Sequence, residues 1–430
     1  MRKRCFARFT QVRAVVAAKF RSSMSALGSF QFSFKCVQYD FGSRMKLSDC
    51  AIMIFQSSFA DMKPYLALEK FEKLQNSPER RNSFAERVIM VSVTKELWSE
   101  NSDKEIFLYC VSGGSLAFKA TNFGCALQSL TVKKGTRPVD VVLGYDSAKE
   151  YEQDKEHMGV VVGRYADLVE DASFVLRGKR FQLEQNCSVG CMHSGSGGFD
   201  KRVWRSRPLA DGVEFSLFSD DGDGGFPSGL EVYVSYRIVE DNAFQIEYVL
   251  HAHGETPVSL TNHTYFNLDE TNNIENHTLF VNSDRYAETS CKEEPVVTGK
   301  LACVDGTPLD FRSTAKLKDR LCSSFEEISA AGGLDHFFCV DGSRMREMAT
   351  LCGASGLKMT CSGDTCGVLI YTANNLKNSV GKGHVKYGCH AGICLETGFI
   401  PNAVNFSSFS DSVIMQAGQT RKSATRFSFD

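Results

Sequence analysis

The sequence predicts an all-β fold, a large antiparallel β-sandwich, and three observations predict it. Apolar side chains recur at every second position in Val213, Phe215 and Leu217, in Leu230, Val232, Val234, Tyr236 and Ile238, and in Phe244, Ile246, Tyr248 and Leu250. That period belongs to strands with one face in a core. Short clusters of Gly, Asn, Asp and Pro separate these segments, as turns between antiparallel strands require. The 430 residues also include 32 Phe and 13 Tyr, and strand patterning reaches Arg426-Phe427-Ser428-Phe429 without a βαβ rhythm or an internal repeat.

Taken in order, residues 1–93 read as an extension and 94–430 as the sandwich domain. Residues 1–39 carry eight Lys or Arg and no acid, a composition shared by transit peptides and by starts that never fold. The expected location is the cytoplasm, with mitochondrial import the alternative. A helix is expected near 60–77, with Tyr65, Leu68, Phe71 and Leu74 on one face and Pro78 ending it. The stretch Asp220–Pro227 reads as a tight turn, since no Lys-Ser/Thr follows it as in a phosphate loop and no distal Glu as in a calcium loop.

Charge and cysteine usage narrow the function. The formal net charge is −2, so no basic footprint for a nucleic acid exists. No uncharged apolar run is long enough for a transmembrane helix. The 16 cysteines show no C-x-x-C pairing, which predicts reduced structural thiols and no zinc knuckle. The sequons at Asn186, Asn262, Asn276 and Asn405 read as chance matches, because no secretory signal precedes them. G-x-S-x-G and H-E-x-x-H are both missing, which removes the serine-hydrolase and zincin readings.

Three histidines stand in unusual company: His193 in a glycine-rich turn, His263 among alternating polar and aromatic residues, and His336 beside Asp335. Glu396 interrupts the apolar run Ile393-Cys394-Leu395. Burying a carboxylate there costs several kcal/mol unless it serves a polar site, roughly.

Together, Asp140-Val141-Val142-Leu143-Gly144-Tyr145-Asp146, Gly163-Arg164-Tyr165-Ala166, Gly198-Phe199-Asp200-Lys201-Arg202-Val203-Trp204, Leu260 to Leu268, Leu334-Asp335-His336 and Cys394-Leu395-Glu396-Thr397 form an ordered series that resembles the aldose 1-epimerase (galactose mutarotase) family. The resemblance implies a β-sandwich whose groove takes a free hexose and interconverts its α and β anomers, with neither a metal nor an organic cofactor. It implies Glu396 as general base for the C1 hydroxyl, His263 as general acid for the ring oxygen, and His193 and Asp335 as substrate-binding residues. The only partner expected is the small hexose, with no nucleic acid and no membrane, and the chain is expected to be a monomer.

The sugar site departs from the family pattern. Where the family continues Gly-Arg-x-Ala with Asn-Arg, this chain has Asp167-Leu168, and Leu369 stands where many relatives carry glutamine. A non-catalytic sugar-binding protein on the same fold is therefore the competing expectation. A sugar-phosphate relative would want added arginines to grip the phosphate, and a glycoside hydrolase would need a second acid opposite Glu396. Arg164 and Lys201 are the nearby cations that could compensate for the lost arginine.

Overall fold

The computed structural model describes residues 89–430, except 102–103, 136, 291–294 and 378. Both the basic segment 1–39 and the helix expected at 60–77 lie outside the described residues. The period-two segments form the strands Gly212–Ser219, Leu230–Glu240 and Ala243–Ala252, paired antiparallel in chain order. These belong to a nine-stranded sheet that the C-terminal strand Thr420–Phe429 joins in its middle, between Ala243–Ala252 and Lys358–Gly363.

Two further sheets complete the sandwich. The first five strands, Ser92–Asn101 to Arg137–Asp140, make a meander in chain order. Six strands make the third sheet, in the order Tyr265–Phe266, Ile393–Gly398, Gly367–Tyr371, Asp335–Cys339, Arg285–Thr289 and Val297–Cys303. Aromatic pairs show what faces what. Phe118 of the meander meets Phe244 of the large sheet at 5.1 Å between ring centroids, and Phe266 of the six-stranded sheet meets Phe427 at 4.8 Å. Edge-on and tilted pairs of this kind add about 0.5–1.5 kcal/mol each beyond their area. Residues of all three sheets thus share one core that includes Val368, Ile370, Ile393 and Leu395.

Asp220–Pro227 is a turn, as expected, and Arg164 holds it. Its guanidinium is 2% exposed and donates to the carbonyls of Ser219, Asp220, Pro227 and Ser228 and to the hydroxyls of Ser219 and Thr256, at 2.6–3.2 Å. Replacing Arg164 with methionine would strand four carbonyls, so a loss of about 3–5 kcal/mol is expected in urea unfolding. A midpoint within error of the wild type would contradict this structural role. Of the cysteines described, none is paired in a disulfide.

Candidate active site

The six-stranded sheet builds the site through its register. Asp335 lies opposite Tyr371 and Phe337 opposite Leu369, while Tyr371 lies opposite Cys394 and Leu369 opposite Glu396. Tyr265 in turn lies opposite Cys394. Because side chains alternate faces, the even spacing puts all of these on one face, in two rows. One row runs Asp335, Tyr371, Cys394, Tyr265; the other runs Phe337, Leu369, Glu396. Continuing the register two residues back from Tyr265 brings His263 to the end of the second row, beside Glu396. The core residues Val368, Ile370, Ile393 and Leu395 occupy the opposite face.

His263 Nε2 stands 3.9 Å from Glu396 Oε1, and both side chains are more than nine-tenths buried. The His263 backbone is anchored by pairing to the 159–160 segment, its N–H donating to Val160 O at 2.9 Å and its carbonyl accepting from Gly159 N at 2.9 Å. A side chain on Gly159, at φ +71°, would run into Leu127 O, so only glycine lets that segment approach. Cys394 Sγ lies 3.5 Å from His263 Nδ1, and Tyr265 and Tyr371 wall the imidazole at 4.9 and 6.0 Å.

His193 enters from a different element. It follows the short strand Gly190–Met192, which pairs with Leu168–Glu170. His193, Ser194 and Gly195 all take left-handed backbone (φ 51°, 69° and 76°). Ser194 is held there because its Oγ accepts from Tyr165 N and donates to Tyr165 O, at 2.8 and 3.1 Å. Asp167 N donates to His193 Nδ1 at 3.0 Å, so the His193 proton resides on Nε2. The rings of His193 and His263 are 5.6 Å apart.

The charges of this face are set by burial. Desolvation drives the His263 pKa down to about 3, helped by the charge of His157. His193 is lowered for the same reasons in the same order. Glu396 is raised well above the carboxylate range by burial, then by Asp167 and Asp335. Burial and the Asp167 charge push Asp335 up to about 8, and burial pushes Asp167 up to about 6. Three carboxyl groups thus share the site, and among the described residues no Lys or Arg is a leading influence on any of them. The folded protein binds the Asp335 proton more tightly than the unfolded chain, whose value is near 3.8, so this group makes stability fall as pH rises from about 4 through about 8. Asp335→Asn is expected to melt higher than the wild type, with a gap that is wider at pH 8 than at pH 5 in calorimetry. A gap that does not change with pH would contradict the raised Asp335 pKa.

Of the residues the sequence singled out, His193, His263, Asp335 and Glu396 converge, and His336 does not. Adjacent to Asp335, it points to the other face, 3.9 Å from Glu327 and 6.0 Å from Tyr286. Neither cation that could have replaced the lost arginine does so. Arg164 is spent on its turn, and Lys201 Nζ donates to Asp154 O at 2.5 Å. Leu168 is 4% exposed, and Leu369 lies between Phe337 and Glu396. The sequence assigns no role to Tyr265, Tyr371 or Cys394, although period two along the same strands places them on this face. The donor atoms of His263, Cys394 and Glu396 lie within 4.8 Å of one another. They do not form a ready zinc cage, since the thiol adjoins Nδ1 and the carboxylate Nε2, and one imidazole nitrogen would have to serve both.

A β-sandwich face on which a carboxyl and an imidazole oppose each other defines a protein of acid–base chemistry. Residues 108–428 match the aldose 1-epimerase family, and the chain belongs to that family. It is 34% identical over 348 residues to the galactose mutarotase of Bos taurus, covering 79% of this chain and 99% of that one. The aldose 1-epimerase of Escherichia coli is 30% identical over 67% of this chain and 85% of its own. Among solved structures, the aldose epimerase homologue from C. elegans superposes with a TM-score of 0.68 at 25% identity, covering 74% of this chain and 96% of that one. Galactose 1-epimerase from Lactobacillus acidophilus shares the fold with a TM-score of 0.70 at 24% identity, over 79% and 99%. These relatives place the chain among the isomerases.

Proposed function

We propose that this chain interconverts the α and β anomers of a free aldohexose, galactose or glucose, by opening and reclosing the ring. The observation that carries the reading is the opposition of His263 Nε2 and Glu396 Oε1 at 3.9 Å on one buried face. Ring opening needs a base at the C1 hydroxyl and an acid at the ring oxygen. Glu396 takes the hydroxyl proton, and His263 gives a proton to the ring oxygen as the C1–O bond breaks. Rotation about C1–C2 presents the other carbonyl face, and reclosure returns both protons.

Proton accounting explains the burial. The reactive form is carboxylate with imidazolium, and opening converts it to neutral carboxyl with neutral imidazole. Burial disfavours charge on both groups, so it favours the ring-opened state of the pair. A histidine so reluctant to hold its proton is also a strong acid toward a weakly basic ether oxygen. His193 Nε2–H donates to the sugar near C1, and Asp335 orients ring hydroxyls. Polarimetry on freshly dissolved α-D-galactose and α-D-glucose tests the reading. Acceleration of at least one is expected, and the buffer rate for both, with sugar bound, would instead mark a sugar-binding protein.

A further inference from the structure

A third imidazole stands at this site. The His157 ring centroid is 4.5 Å from that of His193 and 6.0 Å from that of His263. Its Nδ1 lies 3.0 Å from Oδ2 of Asp200, which is 1% exposed, whereas the His157 side chain is 24% exposed. A carboxylate sealed from water cannot lie on the ring's wet side. The exposed edge is therefore the one away from Asp200, which carries Nε2.

The placement is built from both sides. His157 follows the helix Ala148–Gln153, which starts with a capping box between Ser147 and Glu150. Asp154 then braces the loop, its carboxylate accepting from Tyr145 Oη, Glu156 N and Met158 N at 2.7–2.9 Å. This holds His157 in left-handed backbone at φ 55°. On the other side, Asp200 lies in the turn Phe199–Lys201, which Trp204 Nε1 fastens by donating to Phe199 O at 3.0 Å. A histidine pinned in a costly backbone conformation against a buried carboxylate is more than packing requires.

We infer that His157, paired with Asp200, is a specificity-determining residue of the aldose site. Its Nδ1 is spent on Asp200, which leaves Nε2 to meet a hydroxyl of the bound sugar. The inference rests on the proposed mutarotase reading. The charged and titratable groups facing His157 are Asp200, Lys201, Asp154, Glu156, His193 and His263. Burial works to raise the Asp200 carboxyl, but the His157 hydrogen bond and charge, with Lys201, outweigh it and hold the group below its usual range. Asp200 thus stays ionised as the acceptor that fixes His157 Nδ1.

The test combines kinetics with ¹⁵N NMR of the histidine rings in the full chain. With His157→Gln, KM for galactose is expected to rise about tenfold while kcat stays within about twofold, the pattern of a lost hydrogen bond to bound sugar. Asp200→Asn should shift KM in the same direction. Removing the His157 charge should also let His193 and His263 take up a proton at higher pH than in the wild type, because that charge adds to the desolvation that lowers both. A merely structural residue would not move those titrations. If neither variant folds, the wild type still decides: galactose must shift the His157 Nε2 resonance. A KM within twofold of wild type together with unmoved titrations, or no shift of Nε2 in an active enzyme, would overturn the inference. Absence of mutarotation in the wild type would instead sink the reading beneath it, while sugar-induced shifts at His157 would still report the contact.

Discussion

Replacing Glu396 with glutamine is expected to lower kcat for anomer interconversion by about 10³-fold, within the range for losing a general base. The amide keeps the size and can still accept a hydrogen bond from a sugar hydroxyl, but it cannot take the proton. KM should stay within a few-fold, since the proposed reading rests orientation of the sugar on residues other than Glu396. Stability should hold or rise, because the substitution removes a carboxyl whose ionisation burial opposes. Polarimetry gives the rate, and urea unfolding supplies the control. A loss below tenfold in a folded variant would mean that another group takes the C1 proton.

The second large effect is expected at His263. His263→Gln should cost about 10²–10³-fold in kcat, and the Glu396→Gln, His263→Gln double variant should be little worse than the poorer single one. Opening needs both transfers, so removing either leaves the other nothing to complete. The pH dependence of kcat/KM carries the same logic. The active pair holds one proton. Since His263 titrates at about 3, the second proton arrives only in strong acid, and the profile should show no fall near pH 6–7, where an ordinary imidazole titrates. On the alkaline side, activity should fall as the pair loses its single proton, at a pH well above the ordinary carboxylate range because Glu396 is raised. An acid limb centred near 6.5 would contradict the lowered pKa of His263.

How much of this was legible in the chain differs residue by residue. The strands Leu230–Glu240 and Ala243–Ala252 announce themselves because burial on one face imposes period two on their side chains. Glu396 and His263 stand out because polar groups within apolar strands are costly unless used. Their opposition is another matter. It depends on the register between Tyr265–Phe266 and Ile393–Gly398, and no local propensity specifies a pairing between such distant segments. His336 shows the converse limit: it shares a motif with Asp335, yet one residue along a strand is one face of the sheet. His157 was invisible, since only tertiary packing brings it against Asp200 and beside His193. The turn-forming role of Asp220–Pro227 was readable from its glycines and acids, whereas Arg164 as the group it wraps was not.

The departures at Asp167, Leu168 and Leu369 acquire a physical sense in the same frame. With leucine at 168, and with Arg164 and Lys201 engaged elsewhere, the described face presents histidines and carboxyl groups, to which the proposed reading assigns the sugar contacts. Asp167 is among the charges that raise Glu396, and Leu369 lies opposite Glu396, so these departures act on the carboxyl of the proposed proton-transfer pair as well as on the surface around it.

Two-dimensional exchange NMR on equilibrated galactose tests the central claim most directly, because no net reaction is needed and both anomeric H1 signals are resolved. Cross-peaks between α and β H1 that grow in proportion to enzyme concentration, and vanish with Glu396→Gln, are the predicted result. Cross-peaks no stronger than in buffer, while line broadening shows the sugar bound, would contradict it.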